Sequence, residues 1–302
     1  MHENSLTLRM AAWFRTSFSL LAGFLFFSQE VLQGNARTIS GPSPLPFWQR
    51  PAQEDTAGNH SLKFREVENR AFQVGERLEY NIRYGALAAG KARLSILDTV
   101  HLNGRSCYQF LSEAWTNPFF SKFYRVEDRV RSFTDADGMF SWRMEKKQQE
   151  GGYRDERIVE FDHLAGLAIS TKKDKRDTTK IPPFVLDVLA AVYYVRTQNL
   201  TPGDSVLFDN YDNGKIYPLK IVVHRKEKIK TAAGKFECFV VEPFLQTPAF
   251  FQQRGRVIVH MTADERKIPV LITSQLYLKG FDLGNIVAEL EKMAGVLGGG
   301  HQ

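Results

Sequence analysis

Two charged residues stand where charge is least welcome. The stretch from Pro182 to Thr197 carries Val, Leu, Ala and Tyr on nearly every side, yet Asp187 and Arg196 lie within it. A helix that is apolar all round is a buried helix, and a buried charge needs a partner. Nine positions apart, the two cannot pair along one helix. Each must meet a strand residue, as a buried ion pair that fastens helix to sheet, or lie at the rim of a cavity that binds a ligand. Tyr193 and Tyr194 share the neighbourhood and bring apolar rings with polar tips. Asp187, Tyr193, Tyr194 and Arg196 are therefore the candidate ligand-binding residues.

Other residues with chemical potential have simpler explanations beside them. Asp135, Asp137, Asp264 and Glu265 could form paired carboxylates or a calcium site, but they stand before turns, where Asp bonds nearby backbone. His224 and His260 fall on strands that could bring them together in a meander; two strand histidines without a third partner make no catalytic site. Arg125, Glu127, Arg129 and Arg131 could grip an anion or form cross-strand pairs. No nucleophile elbow, P-loop, dinucleotide fingerprint or HExxH occurs, so no enzyme activity and no cofactor are expected. The only cysteines, Cys107 and Cys238, could bridge in an oxidising compartment or remain two buried thiols; they form no metal-binding cluster.

The elements that must position these residues are mostly strands. In Phe72–Gly85, Leu78, Tyr80, Ile82 and Tyr84 alternate with Glu79, Asn81 and Arg83, the period of a half-buried antiparallel strand. Asn103-Gly104 and Asn213-Gly214 are two-residue hairpin signals. The run Lys172–Asp177 reads as a solvated loop. A single helix is expected over 182–197, with Pro183 in its first turn and Pro202 beyond its end.

The strand runs on either side of that helix resemble each other in order. Gly75-Glu76 matches Gly203-Asp204, Gly104 to Cys107 matches Gly234 to Cys238 with one insertion, and Val130–Asp137 matches Val257–Asp264. Two unrelated meanders would share Gly and Asp turns as well, and order alone leaves both readings open. The expected fold is mainly β: a large antiparallel curved sheet or barrel-like meander in two related halves, joined by one buried α-helix. The halves span 71–171 and 203–291 within a domain of 71–291, and 292–302 is a flexible tail.

Ahead of the domain, Arg9 and Arg15 precede or flank an apolar run over Phe18–Phe27, and Gly34-Asn35-Ala36 offers a cleavage site before Arg37. Residues 1–36 are expected to be a signal peptide, the alternative being an uncleaved anchor, and 37–70 a disordered linker rich in Pro, Ser and charge. The expected location is periplasmic or otherwise extracytoplasmic. The net charge of +6 lacks a compact basic patch with interleaved aromatics, which argues against nucleic acid.

The order Phe72-x-x-Gly-Glu-x-Leu-x-Tyr-x-Ile-x-Tyr-Gly, Ala89-Gly90, Asp187, Tyr193-x-x-Arg196, Gly234-x-Phe-x-Cys238 and Ile268-Pro269-Val270 resembles the DUF3108 family over roughly residues 70–290. The resemblance implies an exported bacterial protein with a mostly antiparallel β domain, and supplies no catalytic residues. A curved sheet rich in Phe and Tyr, closed by a helix, suits an apolar cavity for a lipid, a lipoprotein or a similar ligand. The expected function is non-catalytic binding in the envelope, the alternatives being a structural or assembly partner and a glycan-acting enzyme. The expected partners are a lipid or an envelope protein, with peripheral membrane contact also open. As an assembly partner the protein would use its basic surface and exposed Phe119-Phe120 or Phe250-Phe251 to contact another protein or a polyanionic polymer, the simpler alternative being that both Phe pairs are buried against the sheet; the oligomeric state is left open.

Overall fold

The computed structural model describes residues 63–245, 255–278 and 281–298. The expected signal peptide and cleavage point, most of the expected linker, Phe250 and Phe251 lie outside the described residues. The first half holds β1 (Arg77–Tyr84), β2 (Leu87–Leu102), β3 (Arg105–Thr116), the short helix α1 (Pro118–Ser121), β4 (Glu127–Asp135), β5 (Ser141–Glu150), β6 (Tyr153–Asp162), β7 (Leu167–Lys172) and β8 (Lys175–Lys180). Then come β9 (Leu186–Asp187) and helix α2 (Val188–Thr197). The second half holds β10 (Ser205–Asp212), β11 (Lys215–Thr231), β12 (Gly234–Leu245), β13 (Gly255–Thr262), β14 (Pro269–Leu278) and β15 (Phe281–Ala294).

All fifteen strands belong to one sheet, ordered β8 through β1, then β15 back through β9. Two meanders thus grow in opposite directions from a shared centre, where β1 runs antiparallel to β15. The sheet curls until its ends face each other. Thr179 Oγ1 donates to the Gly214 carbonyl at 3.0 Å, and Lys146 and Arg157 reach Asn213 Oδ1 at 3.3 and 3.4 Å. No ladder joins β8 to β9, so the sheet is barrel-like but open.

The period-two pattern fixes which face turns inward. Leu78, Tyr80 and Ile82 of β1 are buried, and Tyr80 donates its hydroxyl to the Pro269 carbonyl at 2.8 Å. On β4 the outward row pairs across strands, Arg131 with Glu145 at 3.1 Å and Arg129 with Glu113 at 3.9 Å, rather than gripping an anion. The charge run at 172–177 forms no loop. It makes the β7–β8 hairpin, turning at Lys173 with φ +51°, and its charges line an exposed edge where they resist pairing with other chains.

The halves are related in geometry as well as in order. Gly75 and Gly203 both hold positive φ, +91° and +96°, a conformation that costs glycine little. Gly75 N–H donates to Ile96 O at 2.9 Å, and Ile96 N–H returns to Glu76 O at 2.9 Å; Gly203 and Val223 repeat this through Asp204 at 2.8 and 3.0 Å. Ala136 N–H reaches Ser106 O at 2.9 Å, and Ala263 N–H reaches Glu237 O at 2.8 Å, which makes Cys107 equivalent to Cys238. Arg65 Nε donates to the Gly138 carbonyl at 2.7 Å, and Arg196 Nε to the Arg266 carbonyl at 3.0 Å, so an arginine caps the same turn in each half. β1–β5 correspond to β10–β14.

Three sequence expectations need correction. Helix α2 starts at Val188, because Asp187 caps it, and Pro182–Val185 is not helical. Phe184 adopts φ +62° there, and the Val185 carbonyl accepts from Ser141 N–H at 3.1 Å. The domain begins before residue 71: Phe64 stacks on Phe140 at 5.5 Å and Val67 N–H donates to Asp137 O at 2.7 Å. At the other end β15 continues through Ala294, into the segment expected to be tail. Of the two readings left open for the cysteines, the structure shows the second, with no disulfide between Cys107 and Cys238. Both are buried free thiols, each pushed up to about 12 by burial, and as equivalent residues of the two halves they sit on different meanders.

Candidate functional site

The charged residues of the helix divide cleanly into two roles, both structural. Asp187 is the α2 N-cap. Its Oδ1 accepts from the Leu189 and Ala190 N–H groups at 2.9 and 3.0 Å, and its Oδ2 from the Ser132 and Ser141 hydroxyls at 2.5 and 2.6 Å. Burial pushes this carboxyl up, and the two serines oppose the shift. Arg196 closes the other end. Its guanidinium grips Glu76 in bidentate fashion at 2.5 and 2.8 Å, donates to the Ala71 carbonyl at 3.2 Å, and lies over the Phe72 and Tyr193 rings.

The two tyrosines differ as well. Tyr193 stacks on Phe110 with ring centroids 3.8 Å apart, and its buried hydroxyl has no hydrogen-bond partner among the described residues. Tyr194 is half-buried under the Arg65 guanidinium and meets Phe208 edge-on at 5.6 Å. The structure therefore brings the four candidates to one helix, but uses three of them to hold it against β3–β5 and the entry to β1.

The open space lies on the helix's other side. Val188, Ala191, Val192 and Val195 face Ile221, Val241, Val259 and Met261 of the second half across an apolar cleft. It leaves room of about 60 Å³ for the centres of water-sized molecules, within a total empty space of about 750 Å³ that includes its opening to solvent. Fourteen of its fifteen lining residues are apolar or aromatic, the exception being Asn210. Such a wall binds by excluding water from an apolar chain. The sequence showed the valines; what it hid is that the sheet's curl leaves a gap beside them.

A second feature escaped the sequence altogether. Lys146, Gln148 and Glu150 alternate along β5 toward the interior, where they are buried. Asp155 pairs with Lys172 at 2.6 Å, Arg157 at 3.6 Å and Lys146 at 3.8 Å. Asp212, beside Lys146 and Arg157, is pushed up to about 6 by burial. Asp128 rises to about 8, first from burial and then from its neighbour Glu150. This network binds the first half to the β10–β11 turn. Its carboxylates are buried while Lys172 reaches solvent, and its polar inward positions on strand β5 were the signal that could have disclosed it.

The remaining candidates serve their own strands and turns. Burial pushes the Asp135 carboxyl up, but Arg105, Trp142 Nε1 and the Gly138 N–H outweigh it and hold it below the usual carboxylate range. Asp264 accepts from Thr262 at 2.6 Å and from Arg266 at 2.6 and 2.9 Å. These turn carboxylates therefore satisfy local donors rather than facing each other as a pair. His224 takes Glu242 at 2.8 Å and His260 takes Glu227 at 2.5 Å, so each histidine has a glutamate rather than the other histidine. His163, which the sequence did not single out, is held neutral by burial: Nε2–H donates to Ser141 O at 2.7 Å and Nδ1 accepts from Phe184 N–H at 3.3 Å. No cluster among the described residues could hold a metal ion.

No curated protein matches the sequence. Among solved structures, the chain is similar to a beta-barrel-like protein of the domain of unknown function DUF1849 from Brucella abortus, at 12% identity and a TM-score of 0.50. The likeness covers 73% of this chain and 97% of that one. A Bacteroides fragilis protein provisionally described as exported, with a YmcC-like fold, matches at 13% identity and a TM-score of 0.29, covering 76% of this chain and all 100% of that one. A Parabacteroides distasonis protein provisionally described as a lipoprotein matches at 11% identity and 0.30, covering 77% and 100%. Only the first likeness reaches the level of a shared architecture, and it speaks to fold alone. The family described as protein of unknown function (DUF3108) matches residues 79–290, from β1 into β15 and so across both halves and the helix between them, and the chain belongs to that family.

Proposed function

We propose that this protein is a non-catalytic, exported envelope protein that holds an apolar or amphipathic ligand, a lipid or a lipid-like chain, in the cleft beside α2. The observation that carries this reading is the cleft's composition: one face of a buried helix set against a wall of Ile, Val and Met, open on one side. A packed core would have closed that gap, because apolar side chains left without neighbours forfeit dispersion contacts. Export rests on the N-terminal sequence, with Arg9 and Arg15 about an apolar run over Phe18–Phe27. The test is native mass spectrometry on delipidated protein offered fatty acids and lysophospholipids. Retained ligand is expected in the parent and lost in Ala191→Phe, which fills the cleft from the helix side. A parent that retains nothing overturns the reading.

A second reading, an assembly partner or peripheral contact at the envelope, draws on a different observation. Phe119 and Phe123 are 60% and 65% exposed and meet edge-on at 5.4 Å, with Lys122 between them. Exposed paired aromatics of this kind suit a protein or membrane surface. Co-sedimentation with anionic vesicles and cross-linking in envelope extracts, each compared with Phe119→Ser/Phe123→Ser, separate the two surfaces; no loss in either assay removes this reading.

A further inference from the structure

Asn210 is the one amide in the wall of the cleft, and nothing in the fold accounts for it. It is 3% exposed, and its Oδ1 has no hydrogen-bond partner among the described residues. It lies within β10, two residues before the end of the strand, paired with Leu186 on one side and Tyr217 on the other. A strand interior is a position that disfavours asparagine, and here it supplies no turn, which is the usual reason for one. Leaving an amide oxygen unpaired in an apolar wall costs free energy that a leucine would not.

We infer that the ligand of this cleft carries a hydrogen-bond donor, a hydroxyl or a protonated carboxyl, which Asn210 receives while the apolar remainder lies along Val192, Ile221 and Val241. The inference rests on the cleft being a binding site and adds the chemistry of the ligand's head. The pleat supports the placement. Asp212 follows Asn210 on the same face of β10, beside Lys146 and Arg157, so the wall passes from apolar to polar in that direction. A wholly hydrocarbon ligand would leave the amide as unsatisfied as it is now. A ligand with a donor at that point satisfies the oxygen, and that group is aligned before binding because strand pairing on both sides fixes its backbone.

The test compares two isomers of equal size, 1-hexanol and methyl pentyl ether, titrated into the full chain and followed by amide chemical shifts. The alcohol can donate and the ether cannot. The alcohol is expected to bind about tenfold more tightly, the value of one hydrogen bond to a buried acceptor. In Asn210→Leu the preference is expected to vanish while ether binding is kept or improved. Binding of neither isomer overturns the cleft as a site, and the inference with it. Equal binding of both by the parent overturns the donor inference and leaves an apolar site standing. A preference that survives in Asn210→Leu shows that another group receives the donor, which also overturns it. The comparison on the parent needs no variant to fold.

Discussion

Replacing Glu76 with glutamine strands the Arg196 guanidinium, and the structure sets the size of the effect. Arg196 is fully buried, with two of its contacts on the Glu76 carboxylate and the others on the Ala71 and Arg266 carbonyls. Glutamine keeps one carbonyl oxygen and loses the charge, so the guanidinium remains buried without its counter-ion. Removing one partner of such a pair costs about 3–5 kcal/mol, a large part of a typical domain's stability of about 5–15 kcal/mol. The opposite change, Arg196→Met, leaves a carboxyl instead. A carboxyl can take up a proton and a guanidinium cannot give one up, so this cost shrinks on acidification by up to about 1.4 kcal/mol per pH unit. The Glu76→Gln cost should not change between pH 7 and pH 5. Combining Glu76→Leu with Arg196→Met should cost less than the two singles together, because neither charge is then left alone. Urea unfolding of the parent, the three single variants Glu76→Gln, Glu76→Leu and Arg196→Met, and the double variant at both pH values measures each quantity. A Glu76→Gln cost below about 1 kcal/mol, or strict additivity in the double variant, would refute the fastening role.

Three further outcomes follow from the same interior. Asp187→Ala removes four accepted hydrogen bonds and the α2 cap, and should lower stability by about 2–4 kcal/mol in urea unfolding, whereas an effect under 0.5 would place the helix's anchoring elsewhere. Tyr193→Phe deletes a buried hydroxyl that has no partner, and should be neutral or stabilising by up to about 1 kcal/mol; a clear loss of Tm would show that the hydroxyl is bonded. Asp128, raised to about 8 in the fold, holds its proton there while the unfolded chain has released it, so its stabilising contribution is full below about pH 4 and is lost as pH rises through 8. Asp128→Asn should therefore gain on the parent by about 1 kcal/mol per pH unit between pH 5 and 8, and parallel stability profiles would contradict that.

The parts of this fold that could be read in the sequence are those where one local rule decides. Leu78, Tyr80 and Ile82 announce a strand because their period matches the pleat, and Asn103-Gly104 and Asn213-Gly214 turn as hairpins because both positions take positive φ. The duplication was legible as an order of turns, and the repeated hydrogen bonds about Gly75 and Gly203 decide it. Where two local rules compete, the reading slips. Pro183 and Asp187 can each start a helix, and the serines that favour Asp187 come from β4 and β5, out of sequence reach. The Glu76 partner of Arg196 lies 120 residues away, so only the need for a partner could be foreseen. Asp155 and Asp212 were unreadable for the same reason, a charge looking solvated until the strand that neutralises it is known, and only the alternation of Lys146, Gln148 and Glu150 along β5 hinted at the network.

The duplication also explains why the cleft stands where it does. Two equivalent meanders that curl toward each other enclose one interior, and a single helix must fill the space between two similar walls. A helix centred between them would touch both lightly. Instead α2 leans on the first half, Asp187 on Ser132 and Ser141, Tyr193 on Phe110, Arg196 on Glu76, and meets the second half in polar or ring contacts only through Arg196 to the Arg266 carbonyl and Tyr194 to Phe208. Each of the first-half contacts is a buried hydrogen bond or ring stack on one side, while the side turned to the second half carries only Val and Ala toward the cleft. The two interiors differ to match. The first-half interior carries the charged network on β5 and β6, and the second-half wall at β11–β13 is Ile, Val and Met. The helix's polar fastenings and the cleft are therefore two sides of one asymmetry, and weakening the fastenings should loosen the cleft. Glu76→Gln, which touches no lining residue, should alter ligand retention as well as stability if the cleft's shape depends on where α2 is held; unchanged retention in a folded variant would show that the second-half wall alone defines the site.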